Sequence, residues 1–235
     1  MAELIVICIF IFAMACLDES KKECRYGCDD DEVIDAWEDE TVFEKPILLI
    51  DMDGVIADYY GHFISIWKKT YPDRVALKAS ELKGFYFEDS YPAEYTSDIR
   101  NITTDIGFFE NLPPVPGAVT ALTSILENDK FKVFLCSTPD SHSKNQCCSS
   151  EKVRWVERVL GPDWVKRIIL THDKTLVHGD YLIDDKPHIV GAKESPSWSQ
   201  IVFTHEYNKH MSGFTMNSWS NWPEIEQEIL NDFEN

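Results

Sequence analysis

The residues best equipped for chemistry lie in 47-ILLIDMDGVIAD-58, where four apolar residues run straight into Asp51 and Asp53, with Gly54 directly behind. Asp-x-Asp also opens an EF-hand calcium loop, but that loop needs a glycine at its sixth position and a glutamate at its twelfth. Here glycine comes fourth and Val55 and Ile56 follow it. Three further apolar runs end in polar groups: KVFLC in Ser137-Thr138, RIIL in Thr171-His172-Asp173-Lys174, and YLI in Asp184-Asp185-Lys186. Each alone would pass for a turn or a solvated loop. In an open α/β sheet, however, the carboxyl ends of parallel strands gather at one edge, where ligands bind, so the four groups are expected in one crevice.

Such a crevice has an electrostatic requirement. Two unit charges 4 Å apart repel by about 4 kcal/mol at an effective dielectric near 20, so gathered carboxylates call for a cation. Carboxylates, carbonyls and water without a His or Cys cluster suit Mg²⁺ better than zinc. Lys174 adds a fixed positive charge and Ser137 a hydroxyl donor, which together describe a phosphate site. On this reading Asp51 attacks phosphorus and forms an aspartyl-phosphate, dividing one difficult step into two. Asp53 is then the acid that protonates the leaving oxygen and the base that later activates water. Gly54 lets the backbone approach the phosphate.

The elements that must position these groups follow the rhythm of a doubly wound α/β fold. Ile47–Ile50, Lys132–Cys136, Arg167–Leu170, Tyr181–Ile183 and Gln200–Phe203 read as buried parallel strands. Pro116–Asn128 and Ser150–Leu160 read as helices, the second closed by Gly161-Pro162. Residues 59–111 break the rhythm with aromatic-rich segments and Pro72 and Pro92, and read as a small, mostly helical cap inserted after the first strand. The core then comprises residues 46–58 and 112–235.

Composition sets the outer limits. At 235 residues the chain can bury a substantial core. Its formal net charge of −19, from 41 acidic and 22 basic residues, argues against polymeric nucleic acid, which needs a basic footprint. Residues 17–45 read as an acidic arm with too little apolar content to pack, 29-DDDEVIDAWEDE-40 above all. Residues 1–16 hold an apolar run from Leu4 to Cys16, shorter than the roughly 20 residues that span a bilayer. Its length fits a signal-peptide core, with Ala13-Met14-Ala15 as a cleavage-like site, but no Lys or Arg precedes it. A secretory route stays open on that basis, and with it a Cys24–Cys28 pair. Cys136 reads as a small core residue, and Cys147 and Cys148 lack partners at zinc spacing.

Taken in order, DMDGVIAD, CSTP, THDKT and LIDDKP resemble the four motifs of the haloacid dehalogenase-like (HAD) phosphatases. With GFFENLPPVPGA and EKVRWVERVLGPDWVKRIILTHDKT, the chain is similar to the 5'(3')-deoxyribonucleotidases over roughly Ile47 to His210. The resemblance implies hydrolysis of (deoxy)nucleoside 5'- or 3'-monophosphates, a homodimer, and a cytoplasmic or mitochondrial setting. It implies Mg²⁺ on Asp51, the Asp53 carbonyl and Asp185, with Asp184 beside them, and phosphate contacts from Gly54, Ser137, Thr138 and Lys174. Tyr59, Phe85 and Phe109 fall where the family lines its sugar and base pocket with aromatics. Lys152 and Arg154 read as solvated helix positions, Lys152 being the one that could reach the phosphate. Ser137-Thr138 inverts the family's usual Thr-Ser, His172 replaces a frequent arginine, and Thr103 stands near a usual aromatic. The alternatives are a HAD-type phosphatase for another small phosphomonoester and a non-catalytic nucleotide-binding protein.

Overall fold

A computed structural model of the chain describes residues 44–234. Six strands form one sheet: β1 (Ile47–Ile50), β2 (Lys132–Ser137), β3 (Ile168–Leu170), β4 (Tyr181–Asp184), β5 (Ser199–Phe203) and β6 (Thr215–Met216). Their order is β3-β2-β1-β4-β5-β6 and every pairing is parallel. Parallel strands are covered on both faces, which is why β1 can be apolar throughout, with Leu48, Leu49 and Ile50 fully buried. The order reverses direction between β1 and β4, with Ile50 level with Leu135 on one side and Ile183 on the other. A crevice opens at such a switch point, directly beyond Ile50 and Asp184.

The helices are α1 (Tyr59–Thr70), α2 (Thr96–Thr103), α3 (Ala118–Asn128), α4 (Cys148–Leu160), α5 (Pro162–Val165) and α6 (Trp222–Phe233). The helix expected from Pro116 starts two residues later, because Gly117 takes a left-handed φ of 81° before it and Val115 donates its N–H to the Ile56 carbonyl at 2.9 Å. Gly161 ends α4 at φ 94° and Pro162 opens α5, as expected of a C-terminal glycine. Besides the short α5, two elements of the core go beyond the sequence reading. One is β6, only two residues long. The other is α6, which buries Trp222, Ile225 and Ile229 at helical spacing behind a first-turn proline.

Between β1 and α3 lie α1, α2 and three single 3₁₀ turns at Ala79–Glu81, Phe87–Asp89 and Ala93–Tyr95. Their aromatics Phe63, Trp67, Phe87 and Tyr91 belong to the same apolar cluster as Leu48 and Ile50 of the sheet. Arg74 pairs with Asp98 and lies over the rings of Tyr71 and Tyr95, 4.3 and 4.6 Å from their centroids, tying the end of α1 to α2. The apolar run 4–16, the acidic stretch 29–40, Cys24 and Cys28 lie outside the described residues. Among the described residues Cys136, Cys147 and Cys148 are free thiols, and no helix is long and apolar enough to cross a membrane.

Candidate active site

Every strand from β1 to β4 delivers a polar group to one cleft of about 680 Å³. Asp51 and Asp53 follow β1, Ser137 ends β2, Lys174 follows β3, and Asp184 and Asp185 close β4; all six line the cleft. Lys174 is the hub. Its Nζ lies 2.8 Å from Asp51 Oδ1 and 2.5 Å from Asp184 Oδ2, while the other Asp184 oxygen accepts the Lys186 N–H at 2.8 Å. Asp184 is thus spent on holding Lys174 and the chain after β4.

Burial and neighbouring charge set the protonation behaviour of these groups. Burial works against the charge on Lys174, but Asp184 and Asp51 overcome it and hold the lysine above its ordinary value. Burial likewise opposes ionisation of Asp51, yet Lys174 and then Lys152 prevail, and its carboxyl sits below the usual range. Asp53 moves the other way. Its burial outweighs Lys152, and its carboxyl is raised. The two aspartates of the motif thus shift in opposite directions, the pattern expected of a nucleophile and a proton donor. Burial, reinforced by Asp184 and Asp51, raises Asp185 well above the usual carboxylate value.

The carboxylates of Asp51, Asp184 and Asp185 can each offer an oxygen within 4.8 Å of the others. Asp185 Oδ1 is buried and has no hydrogen-bond partner. An orphaned buried carboxylate oxygen beside two more acids is a site short of positive charge, and an all-oxygen donor set fits a hard cation.

Asp185 is held from behind by residues the sequence reading did not single out. The Tyr207 hydroxyl donates to Asp185 Oδ2 at 2.5 Å, and Asn208 Nδ2 donates to the Asp185 and Phe203 carbonyls at 2.7 and 2.9 Å. His205 stacks on Tyr207 at 5.3 Å and its Nε2 lies 2.8 Å from the Gly54 carbonyl. No motif marks this loop after β5; its only signal is its place behind a strand of the same sheet.

Lys152 is a correction. Read as a solvated helix position, it is 1% exposed, and its Nζ reaches Asp53 Oδ2 at 2.5 Å and Ser137 Oγ at 3.0 Å. The signal was present in the spacing, since Cys148, Lys152, Trp155 and Val156 share the buried face of α4. Arg154 does lie on the surface, paired with Glu110 at 2.7 Å.

Tyr59, Phe85 and Phe109 all line the same cleft as the carboxylates, together with Thr103, exposed Thr138 and exposed His172. Tyr59 stacks on Phe87 at 5.5 Å. The buried Glu151 of α4 accepts the backbone N–H groups of Gly107 and Phe109 at 2.6 and 3.1 Å, which fixes Phe109 against the core. A wall of rings facing an anion site suits a flat, apolar-faced group that carries a phosphate.

Comparison with known proteins agrees with this geometry. The family model for the "5' nucleotidase, deoxy (Pyrimidine), cytosolic type C protein" matches residues 45–232. The chain is 41% identical over 179 residues to a Bordetella pertussis protein, covering 76% of this chain and 94% of that one. It is 38% identical over 186 residues to the human 5'(3')-deoxyribonucleotidase, cytosolic type, covering 76% and 92%. It is also 38% identical over 167 residues to the human mitochondrial 5'(3')-deoxyribonucleotidase, covering 70% and 72%. Among solved structures, a haloacid dehalogenase-like protein from Agrobacterium tumefaciens aligns at TM-score 0.52 and 12% identity, over 80% of this chain and 100% of that one, a likeness of fold alone.

Proposed function

We propose, for a chain that belongs to the 5'-nucleotidase, deoxy (pyrimidine), cytosolic type C family and is a phosphoric monoester hydrolase, that it cleaves (deoxy)nucleoside 5'- or 3'-monophosphates through an aspartyl-phosphate with Mg²⁺ as its cation. The observation that carries the reading is the single cleft in which Asp51, Asp53, Ser137, Lys174 and Asp185 face Tyr59, Phe85 and Phe109. The reaction centre and a surface for a nucleobase share one cleft.

The roles follow from the partners. Asp51, lowered by two lysines, is the carboxylate available to attack phosphorus. Lys174, charged and pinned between Asp51 and Asp184, offers its positive end to the phosphoryl oxygens without reorganising. Ser137 and Thr138 offer hydroxyls to the same oxygens, and Gly54, at φ 78°, brings its backbone close to them. Asp53, raised by burial, supplies the proton to the leaving oxygen and recovers it from the attacking water. Asp51, the Asp53 carbonyl and Asp185 would hold Mg²⁺, with Asp184 beside them, and Mg²⁺ there would neutralise phosphoryl charge. Tyr59, Phe85 and Phe109 would hold the base by their faces, at ~1–3 kcal/mol for each base stacked.

The test is phosphate release by the full chain from a panel of 5'- and 3'-(deoxy)nucleoside monophosphates and simple sugar phosphates, with Mg²⁺ and with EDTA. Release from nucleotides is expected, lost in EDTA and lowered roughly 10⁴-fold or more in Asp51→Asn, the order seen when a covalent nucleophile is removed. Release confined to sugar phosphates would move the substrate to another small phosphomonoester. Binding of nucleotides without turnover would mean a non-catalytic protein.

A further inference from the structure

Beyond helping Lys174 to lower Asp51, Lys152 has no role in the reaction as described, yet its surroundings are all parts of that reaction. Its ammonium lies 2.5 Å from Asp53 Oδ2, 3.0 Å from Ser137 Oγ and 5.2 Å from the centre of the Phe109 ring. A buried ammonium is costly unless its donors are used, and here they are used on the site itself. Among the described residues Lys152 makes the one hydrogen bond to the Asp53 side chain, whose other oxygen is buried and unpartnered. The direction of the Asp53 carboxyl is therefore set by Lys152. A lysine only donates, so Ser137 accepts from it and keeps its own hydrogen for another acceptor. The stem of Lys152 is fixed in turn, because its helix neighbour Glu151 holds the backbone of Gly107 and Phe109.

We propose that Lys152 is a positioning residue for proton donation: it orients the Asp53 carboxyl toward the leaving oxygen. The proposal rests on the hydrolytic reading above and deepens it. In the step concerned, an Asp51 oxygen bonds to phosphorus as the bond from phosphorus to the leaving oxygen breaks. That oxygen takes the Asp53 proton and departs as an alcohol, leaving Asp53 a carboxylate. Water then attacks phosphorus and returns a proton to Asp53, and inorganic phosphate and the Asp51 carboxylate are released.

A residue that acts through the proton donor matters most when the leaving oxygen is basic. The experiment compares Lys152→Met with the unaltered full chain on a deoxynucleoside 5'-monophosphate, phenyl phosphate and 4-nitrophenyl phosphate, all with Mg²⁺. 4-Nitrophenolate departs without a proton. General acid catalysis contributes ~10²–10⁴-fold, so the nucleotide rate should fall ~10-fold or more beyond the 4-nitrophenyl phosphate rate, with phenyl phosphate between them. In an Asp53→Asn background this selectivity should vanish. An equal fall on all three substrates, or a selective fall that persists without Asp53, overturns the proposal. Lys152→Gln carries the same comparison if the Met variant does not fold, each variant being checked by its melting curve. If the unaltered chain hydrolyses none of the three, or Asp51→Asn is as active as it, the underlying reading fails and this inference falls with it.

Discussion

At the scale of single residues, the site depends on one absent side chain. Gly54 has φ 78°, and a Cβ built there would stand 2.2 Å from Asp185 Oδ2. Gly54→Ala thus combines a left-handed penalty of about 1–2 kcal/mol with a direct collision against a carboxylate at the centre of the site. We expect a lower melting temperature and a loss of cation affinity together, read by thermal unfolding with and without Mg²⁺. Tyr207→Phe separates the two effects. Removing the hydroxyl that holds Asp185 Oδ2 should weaken the cation ~10–100-fold, the usual effect of losing a partner of a metal ligand, as measured by calorimetric titration. These residues also show what a sequence can reveal. Asp51, Ser137, Lys174 and Asp184 each follow a short apolar run, and a parallel sheet brings the ends of such runs together. Tyr207, Asn208 and His205 act from a loop whose pairing with Asp185 depends on the path of the chain after β5, which no spacing encodes.

At the scale of elements, five strands and two of the helices were legible because their apolar runs are continuous or periodic. The two-residue β6 is too short to carry a pattern, and its pairing of Val202 with Thr215 is settled by the sheet edge it meets. The turns between α1 and α2 form around aromatics whose partners lie far away in sequence, such as Trp67 against Tyr91 and Tyr95. This region carries an acid-sensitive tie. Hydrogen bonds from Arg74 and then Tyr71 hold the Asp98 carboxyl below its ordinary value. A carboxylate depressed in the folded state contributes stability that is present above its unfolded pKa and is lost as pH falls through the lower folded value. Amide protection across residues 71–98, the exchange rate taken relative to the intrinsic rate at each pH, should therefore fall below about pH 4, near the unperturbed carboxylate value, before the sheet opens, and Asp98→Asn should show the lower protection already at neutral pH.

For the molecule as a whole, the sheet, the site and the segment between β1 and α3 share one apolar cluster that runs from Leu48 through Phe63 and Phe87 to Ile229. Stabilising the site should then stabilise everything the cluster reaches. A cation that binds only the folded state adds RT ln(1 + [L]/Kd), about 2.7 kcal/mol at a hundredfold excess over Kd. The chain should melt in a single transition that moves upward with Mg²⁺, and two transitions of which only one moves would show the segment between β1 and α3 to be independent.

The Trp219 indole donates to the Val55 carbonyl at 2.8 Å, deep in the core. The turn bearing Asp53 and Gly54 is made early in synthesis and fastened late, by a residue that leaves the ribosome some 160 positions afterwards. Until then the emerging chain holds its aspartates, lysines and Tyr207 without the tryptophan that fastens the first of its loops. A nascent or prematurely stopped chain ending before Trp219 would contain every group of the reaction centre and still lack the clasp that shapes its first loop.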